Sequence, residues 1–422
     1  MTTKKPKLGL VLSGGGARGA YEAGVIHYLR TMLPRDTWRQ RDFSVICGSS
    51  VGAINACFMA ATAHDIEYQG KQSYALWSDI SQSDIYKRDV FSIAKFLTNS
   101  FYRISKNILA RQLDNPESIR QADHFRGLLN TAPFVPFLKR AIPWKQISLN
   151  IKNKVFEALS VTATNVHSGK LELFIEKHPD TPYTGHYVYH DTKIEYLHAM
   201  ASAAIPLIFP TVKIKRNHYA DGGLRLNTPL SPAIQLGAEQ ILVIGPHNQE
   251  ESSEIKENEP RFIEPDVPPS LGMLLGKILS SIFLDRLDYD IEQLDRINNI
   301  IDWGKGAYGD DFLERVNGFV HQKRITGDIA NRGLKKLQVL RIYPSQDLRE
   351  IFSRAIGKSD FLQTGLSGFE KTLLKVLDVD LESGKDFLSF ILFYPDYIKA
   401  LMDLGFEDAR RRHGDLIAFL AG

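Results

Sequence analysis

The stretch "LGLVLSGGGARGAYEAGV", residues 8–25, decides how the rest of the chain is read. A short apolar run meets three glycines and an arginine, and a helical pattern then begins. "KLGLVLS" (7–13) has the continuous apolar character of a buried parallel strand. From Ala17 the period changes, and Tyr21, Val25, Leu29 and Leu33 fall on one helical stripe. Bare backbone N–H groups in such a turn bind an anion. Gly14, Gly16 and Gly19 satisfy G-x-G-x-x-G, so one candidate anion is a dinucleotide pyrophosphate. Another is an oxyanion formed during catalysis.

Working outward, the pattern repeats. "DFSVICG" (42–48) reads as a second strand, and "VGAINACFMAATA" (51–63) is apolar almost all round, as a buried helix is. Glycine stands at both strand-to-helix turns, which marks a parallel sheet covered by helices. "VFEALSVTATNVHSGKLELF" (155–174) reads as two strands. "HAMASAAIPLIFP" (198–210) reads as a short buried helix, and "VKIKRNHYADGG" (212–223) as a strand or pair of strands ending in a turn. "PLSPAIQLGAEQILVIG" (229–245) reads as a helix stopped at Gly237 and then a strand. "PFVPFLKRAIPW" (133–144) reads as a proline-punctuated connector. The acidic, proline-bearing segment 247–270 reads as a linker or flexible loop. Beyond it, 271–300 and 361–420 read as helical, with "VLRIYPS" (339–345) returning to the sheet. This organises the chain as a core over 7–246, the linker, and a mostly helical region over 271–422 that packs on the core or acts as a lid.

The second glycine turn, "GSSVG" (48–52), fits G-x-S-x-G with Ser50 at its centre. A nucleophilic serine has to stand exposed on a tight strand-to-helix turn, and Gly48 and Gly52 relieve the crowding there. The helix opening at Val51 sets its N–H groups and dipole beside the reacting oxygen. Gly16 and Ser50 lie one βαβ unit apart, so both turns fall at the carboxyl edge of neighbouring parallel strands. Gly15 and Gly16 could then donate to an oxyanion at Ser50. A dinucleotide site needs an acid ending the second strand. Asp36 precedes that strand and Asp42 begins it, so this alternative fails its main test. Arg18 sits where the helix dipole disfavours a cation, and either fixes the loop or meets an anionic substrate group. For a base, His218 is the best of the 12 histidines, and Asp221, held in "DGG" with Gly222 and Gly223, is the better candidate.

Together "GGGARG" (14–19), "GSSVG" (48–52) and "DGG" (221–223) resemble the patatin-like phospholipase family, over roughly residues 7–245. The resemblance implies a three-layer α/β/α fold with a mainly parallel central sheet. It implies a serine acyl hydrolase with Ser50 as nucleophile, Asp221 as base, and Gly14, Gly15, Gly16 and Arg18 as the oxyanion loop. Its substrates would be phospholipids or other acyl-ester lipids. Ser13 stands where plant patatins carry an acid, and Ser49 replaces the threonine common before the nucleophile; neither change removes a catalytic group. A catalytically silent lipid-binding or scaffolding protein is the alternative on this fold.

Composition sets the outer bounds. The 422 residues carry a formal net charge of +3, too weak a bias for nucleic acid. Cys47 and Cys57 lie in apolar stretches, as reduced core residues of an intracellular protein do. No metal or cofactor motif is present, and no signal-peptide core or membrane span. The expected location is cytoplasmic, with transient membrane-surface contact. "LGMLLGKILSSIFLDRL" (271–287), with Leu271, Leu274, Leu275, Ile278, Ile282 and Phe283 as its stripe, reads as packed on the core or touching a membrane. "FLSFILFYPDYI" (387–398) has the same two readings. The basic run "ARRRHG" (409–414) is read as solvated or touching anionic lipid.

Overall fold

A computed structural model describes residues 5–87, 127–246, 271–283, 287–322, 333–357 and 385–421. The acidic segment 247–270 and the helical reading of 361–384 lie outside the described residues.

The chain opens with β1 (Leu8–Leu12), a 3-10 turn (Gly16–Gly19), α1 (Ala20–Met32), α2 (Arg35–Gln40), β2 (Val45–Gly48) and α3 (Val51–Thr62). Helices α4 (Ile66–Asp79), α5 (Gln82–Ile85), α6 (Phe134–Ala141) and α7 (Trp144–Lys152) follow. Next come β3 (Ala158–Asn165), β4 (Leu171–Lys177), β5 (Val188–Asp191), α8 (Tyr196–Ser202), the hairpin β6 (Val212–Ile214) and β7 (Asn217–Asp221), then α9 (Leu230–Gln235) and β8 (Gln240–Ile244). The remainder holds α10 (Leu271–Phe283), α11 (Leu287–Tyr308), α12 (Phe312–Gln322), β9 (Gln338–Ile342), α13 (Leu348–Gly357), α14 (Lys385–Ile391), α15 (Pro395–Arg411) and α16 (His413–Ala421).

Among the described residues the strands form one sheet in the order β5-β4-β3-β2-β1-β8-β9, with β7 also pairing β3 and β6 pairing β7. The central pairs are parallel, and antiparallel pairing is confined to β3 with β4 and β7, and to the β6–β7 hairpin. Side chains alternate between the two faces of the sheet. Leu8, Leu10 and Leu12 join the larger core under α1, α3 and α15, while Val11, Val45, Cys47, Ile241 and Val243 join a second core under α9. Helices therefore cover both faces, the α/β/α layering expected from the two glycine turns.

The expected helix start at Ala17 is displaced: one 3-10 turn precedes α1, which begins at Ala20. The stretch 133–144 is a correction. It holds α6 and the start of α7 in place of a connector. Pro133 and Pro136 fall at or within the first turn of α6, where a backbone N–H has no intrahelical acceptor to lose, so proline is tolerated. "FLSFILFYPDYI" is core: Phe387, Phe390, Ile391, Tyr397 and Ile398 are buried. The basic run faces its own acids, Arg410 pairing with Glu407, Arg411 with Asp408 and Arg412 with Asp415. On α10, Leu274 and Ile278 are exposed, so that part of the expected stripe does not face the core. Among the described residues no helix is long and apolar enough to cross a membrane.

Candidate active site

The site forms where β1 and β2 run side by side in parallel. Leu12 pairs with Gly48, so the chain leaves both strands at the same sheet edge. The glycine loop follows one strand and Ser50 follows the other. One further bond, from the Ser49 N–H to the Leu12 carbonyl (3.2 Å), prolongs the pairing into the turn.

Ser50 has φ 53° and ψ −129° at the N-cap position of α3. A non-glycine residue there stores strain, about 1–3 kcal/mol, which its surroundings must hold. Backbone crowding explains the flanking glycines. A Cβ on Gly52 would collide with the Leu12 and Ser13 carbonyl oxygens, and one on Gly48 with the Gly52 carbonyl. Gly19 lies where a side chain would strike Val51. The backbone N–H of Ser50 donates to Ser202 Oγ (2.9 Å). Behind it, Thr162 Oγ1 donates to Ser49 Oγ (2.8 Å), and Ser49 Oγ to the Leu226 carbonyl (2.9 Å).

Strand β7, antiparallel to β3, delivers Asp221 to this turn. Ser50 Oγ donates to Asp221 Oδ2 at 2.6 Å. The other carboxylate oxygen accepts the Gly223 N–H at 2.7 Å, and Thr164 Oγ1 donates to the Asp221 carbonyl at 2.8 Å. Gly222 has no room for a side chain against Thr162. Burial of the carboxylate pushes the Asp221 pKa up to about 7, against the lowering effect of the Ser50 and Gly223 bonds. His218, the alternative base, stands three residues away on the same strand and meets the His167 ring instead. Ser50 and Asp221 are 1% and 0% exposed, so the pair is closed from solvent in this conformation.

The glycine loop divides its groups. The Gly14 N–H donates to the Asn227 carbonyl (3.3 Å), and Ser13 Oγ bonds Thr228 Oγ1 (2.7 Å), so these two residues anchor the loop. The Gly15 and Gly16 N–H groups have no acceptor among the described residues. Gly16 has φ 56°, the left-handed region glycine favours. Arg18 is buried and engaged. Its Nη2 donates to Asp386 Oδ1 (2.7 Å) and Ser389 Oγ (2.7 Å), and its guanidinium lies 3.8 Å from the Phe390 ring centre. Of the two expected roles, fixing the loop is the one these contacts serve, and the residue it is fixed to lies in α14.

Several contributors escaped the sequence reading. Ser202 was visible only as a small polar residue in a largely apolar stretch. Asp386 and Ser389 carried no local signal. Glu22 and Asn55 form a buried layer behind the loop, Asn55 Nδ2 donating to Glu22 Oε2 (2.8 Å) and Asn55 Oδ1 accepting from Trp77 Nε1 (2.9 Å). Burial raises the Glu22 carboxyl well above its usual range.

A family model described as patatin-like phospholipase matches residues 10–234, more than half of the chain. The chain belongs to the patatin-like phospholipase family. All three patatin motifs identified in the sequence, the glycine loop, the serine turn and the Asp221 turn, fall inside the matched span. A relative called probable lipid hydrolase 463L, from Invertebrate iridescent virus 6, is 27% identical over 233 residues. That match covers 54% of this chain and 63% of the relative, so it spans a little under two-thirds of the relative's length. Among solved structures, human GIVD cytosolic phospholipase A2, in complex with methyl gamma-linolenyl fluorophosphonate, is 10% identical with a TM-score of 0.40, over 99% of this chain and 59% of that one. VipD from Legionella pneumophila is 12% identical with a TM-score of 0.29, over 96% and 92%.

Proposed function

We propose that this patatin-like protein is a lipid acyl hydrolase that cleaves fatty acyl esters through a Ser50–Asp221 dyad. The observation that carries the reading is the 2.6 Å bond from Ser50 Oγ to Asp221 Oδ2. A free aspartate is too weak a base for a hydroxyl, but one pushed up to about 7 is matched to work near neutral pH. Asp221 takes the Ser50 proton as Oγ attacks the ester carbonyl. The carbonyl oxygen becomes an oxyanion, which accepts from the unengaged Gly15 and Gly16 N–H groups. Each such donor is worth about 3 kcal/mol of barrier. Collapse expels the alcohol, which takes the proton back from Asp221, and leaves an acyl-enzyme on Ser50. Water, deprotonated by Asp221, attacks the acyl carbonyl and releases the fatty acid and the free serine. The strained Ser50 backbone and the glycines around it hold Oγ in position before substrate arrives, so little reorganisation is needed in the transition state.

The substrate class rests on the family: a phospholipid or another acyl-ester lipid. The test is labelling with a fluorophosphonate, followed by hydrolysis of a fluorescent phospholipid. Wild type is expected to label and turn over. Ser50→Ala should do neither, and Asp221→Asn should lose at least a hundredfold in kcat, the scale of general-base catalysis. Undiminished hydrolysis by Ser50→Ala would remove the dyad. A wild-type protein inert to the probe and to every ester would favour a lipid-binding role.

A further inference from the structure

Helix α10 lies against the site on two sides. It packs on the Gly222–Leu224 turn that follows Asp221, and on α14, which holds Arg18. Its inward side is small and apolar: Gly276 meets Phe387, and Leu279 is 2% exposed. Ser280 Oγ donates to Asp386 Oδ2, the same carboxylate whose other oxygen binds Arg18. Asp386 thus joins α10 to the glycine loop.

The outward side has a different chemistry. Leu274 and Ile278 are 47% and 48% exposed, with Lys277 exposed between them. Leu224 and Arg225, at the turn on which α10 packs, are exposed as well. Among the described residues neither Lys277 nor Arg225 forms an ion pair, whereas Arg410, Arg411 and Arg412 of the basic run all do. Exposed aliphatic side chains flanked by unpaired cations complement one environment: the boundary between anionic headgroups and acyl chains. The exposed aromatics Trp303, Tyr308 and Phe319 lie on α11 and α12, where Asp302 pairs with Lys336 and Asp311 with Arg315, and Asp310 and Glu314 stand against Lys305, so that face has no cationic excess to offer the same headgroups.

We infer that the outer stripe of α10, with Leu224 and Arg225 beside it, is the surface by which this protein seats on an anionic phospholipid bilayer. Leu274 and Ile278 enter the interface, and Lys277 and Arg225 meet phosphate groups. The seat adjoins the Asp221 turn, so it holds the bilayer against the side of the site on which α10 packs. This inference rests on the lipid-hydrolase reading for its purpose, and its test is separable from that reading.

Binding is measured by flotation of the full chain, carrying Ser50→Ala to prevent hydrolysis, with vesicles of phosphatidylcholine alone or equimolar with phosphatidylglycerol. Binding is expected only to the anionic vesicles. Leu274→Ser with Ile278→Ser should weaken it on the order of tenfold or more. Lys277→Glu, a surface change that leaves the packing intact, should weaken it about fivefold or more. Trp303→Ser should bind as wild type. With Ser50 restored, the α10 variants should hydrolyse a dissolved short-chain ester at the wild-type rate, which also reports that they fold. Wild-type binding by the α10 variants, or loss of binding in Trp303→Ser instead, overturns the inference. Failure of the wild type on the dissolved ester bears on the hydrolase reading alone, because binding is read in the absence of turnover.

Discussion

Asp221, the base of the proposed dyad, sits in an environment that works against its charge. Its carboxyl is fully buried, and two hydrogen bonds offset only part of that burial, leaving a pKa of about 7. In the proposed mechanism the ionised form is the base, so kcat/KM for a soluble ester should rise with pH along a limb centred near 7 and level off above it. Stability should move the opposite way. An aspartate whose folded pKa is raised keeps its proton in the folded state while the unfolded chain has lost it, so the contribution is full below the ordinary aspartate range. It declines by up to about 1.4 kcal/mol per pH unit and is gone once pH passes 7. Asp221→Asn should abolish both the catalytic limb and this component of the slope. Paired pH profiles of turnover and of urea midpoint check it; a variant that loses activity yet keeps the wild-type stability slope would assign the titration to another group. Ser50 and Asp221 were legible in the sequence because each sits in a turn that only small residues can build. The raised pKa was not, since it depends on what β3 and α8 bring around the carboxylate.

At the scale of elements, the glycine loop is held from outside by α14. A Cβ on Gly16 would strike the Phe390 carbonyl oxygen, so loop and helix touch backbone to backbone. Arg18, 2% exposed, then bridges to Asp386 and Ser389. Removing one member of a buried ion pair leaves its partner uncompensated, at about 3–5 kcal/mol. Asp386→Ala should therefore lower stability by that order. It should also reduce kcat on a dissolved ester with little change in KM, because in the proposed mechanism the displaced N–H groups act on the oxyanion more than on bound substrate. Arg18→Lys should lower kcat as well, since a single ammonium cannot reproduce a planar fork shared between two acceptors and stacked on a ring. Denaturant unfolding with steady-state kinetics reads both effects, and an Asp386→Ala protein with wild-type kcat would detach the clamp from the chemistry. Sequence reading marked Arg18 as out of place at a helix start but could not find its partner, which lies 368 residues away. The two strands read in 155–174 and the opening βαβ unit were legible for the converse reason: their signals are local, whereas 212–223 was left as one strand or a pair and is the β6–β7 hairpin. The connector assigned to 133–144 failed because proline was read as a breaker without regard to its place in the first turn.

Across the whole molecule, the C-terminal helices complete the layer over the first face of the sheet. Helix α15 lies along α1 with glycines on both sides of the contact: a Cβ on Gly24 would strike the Met402 carbonyl, and one on Gly405 the Tyr21 carbonyl. This close approach buries Tyr21, Val25, Tyr397, Leu401 and Met402 in one continuous cluster with Leu10 and Leu12 of β1. Strand β9 continues the sheet beyond β8, in parallel register from Gln240–Gln338 to Ile244–Ile342. Among the described residues, β9, α13, α14 and α15 share their core with residues 7–246, so these elements have no seam along which to melt alone. Residues 7–246 and the C-terminal region should therefore unfold in one cooperative transition. Trp38 and Trp77, 3% exposed in the first part, and Tyr397, buried in the last, give near-ultraviolet dichroism from both regions, and far-ultraviolet dichroism follows the backbone. The two signals should trace one curve with one midpoint. Gly405→Leu, which forces a side chain into the Tyr21 backbone, should lower that midpoint by the equivalent of about 1–3 kcal/mol or more while the curves stay superimposed. If instead the variant splits them, with the aromatic signal of the core persisting after the C-terminal helices have melted, the two regions are separate folding units, and α15 is a cover for α1 in place of a part of its core.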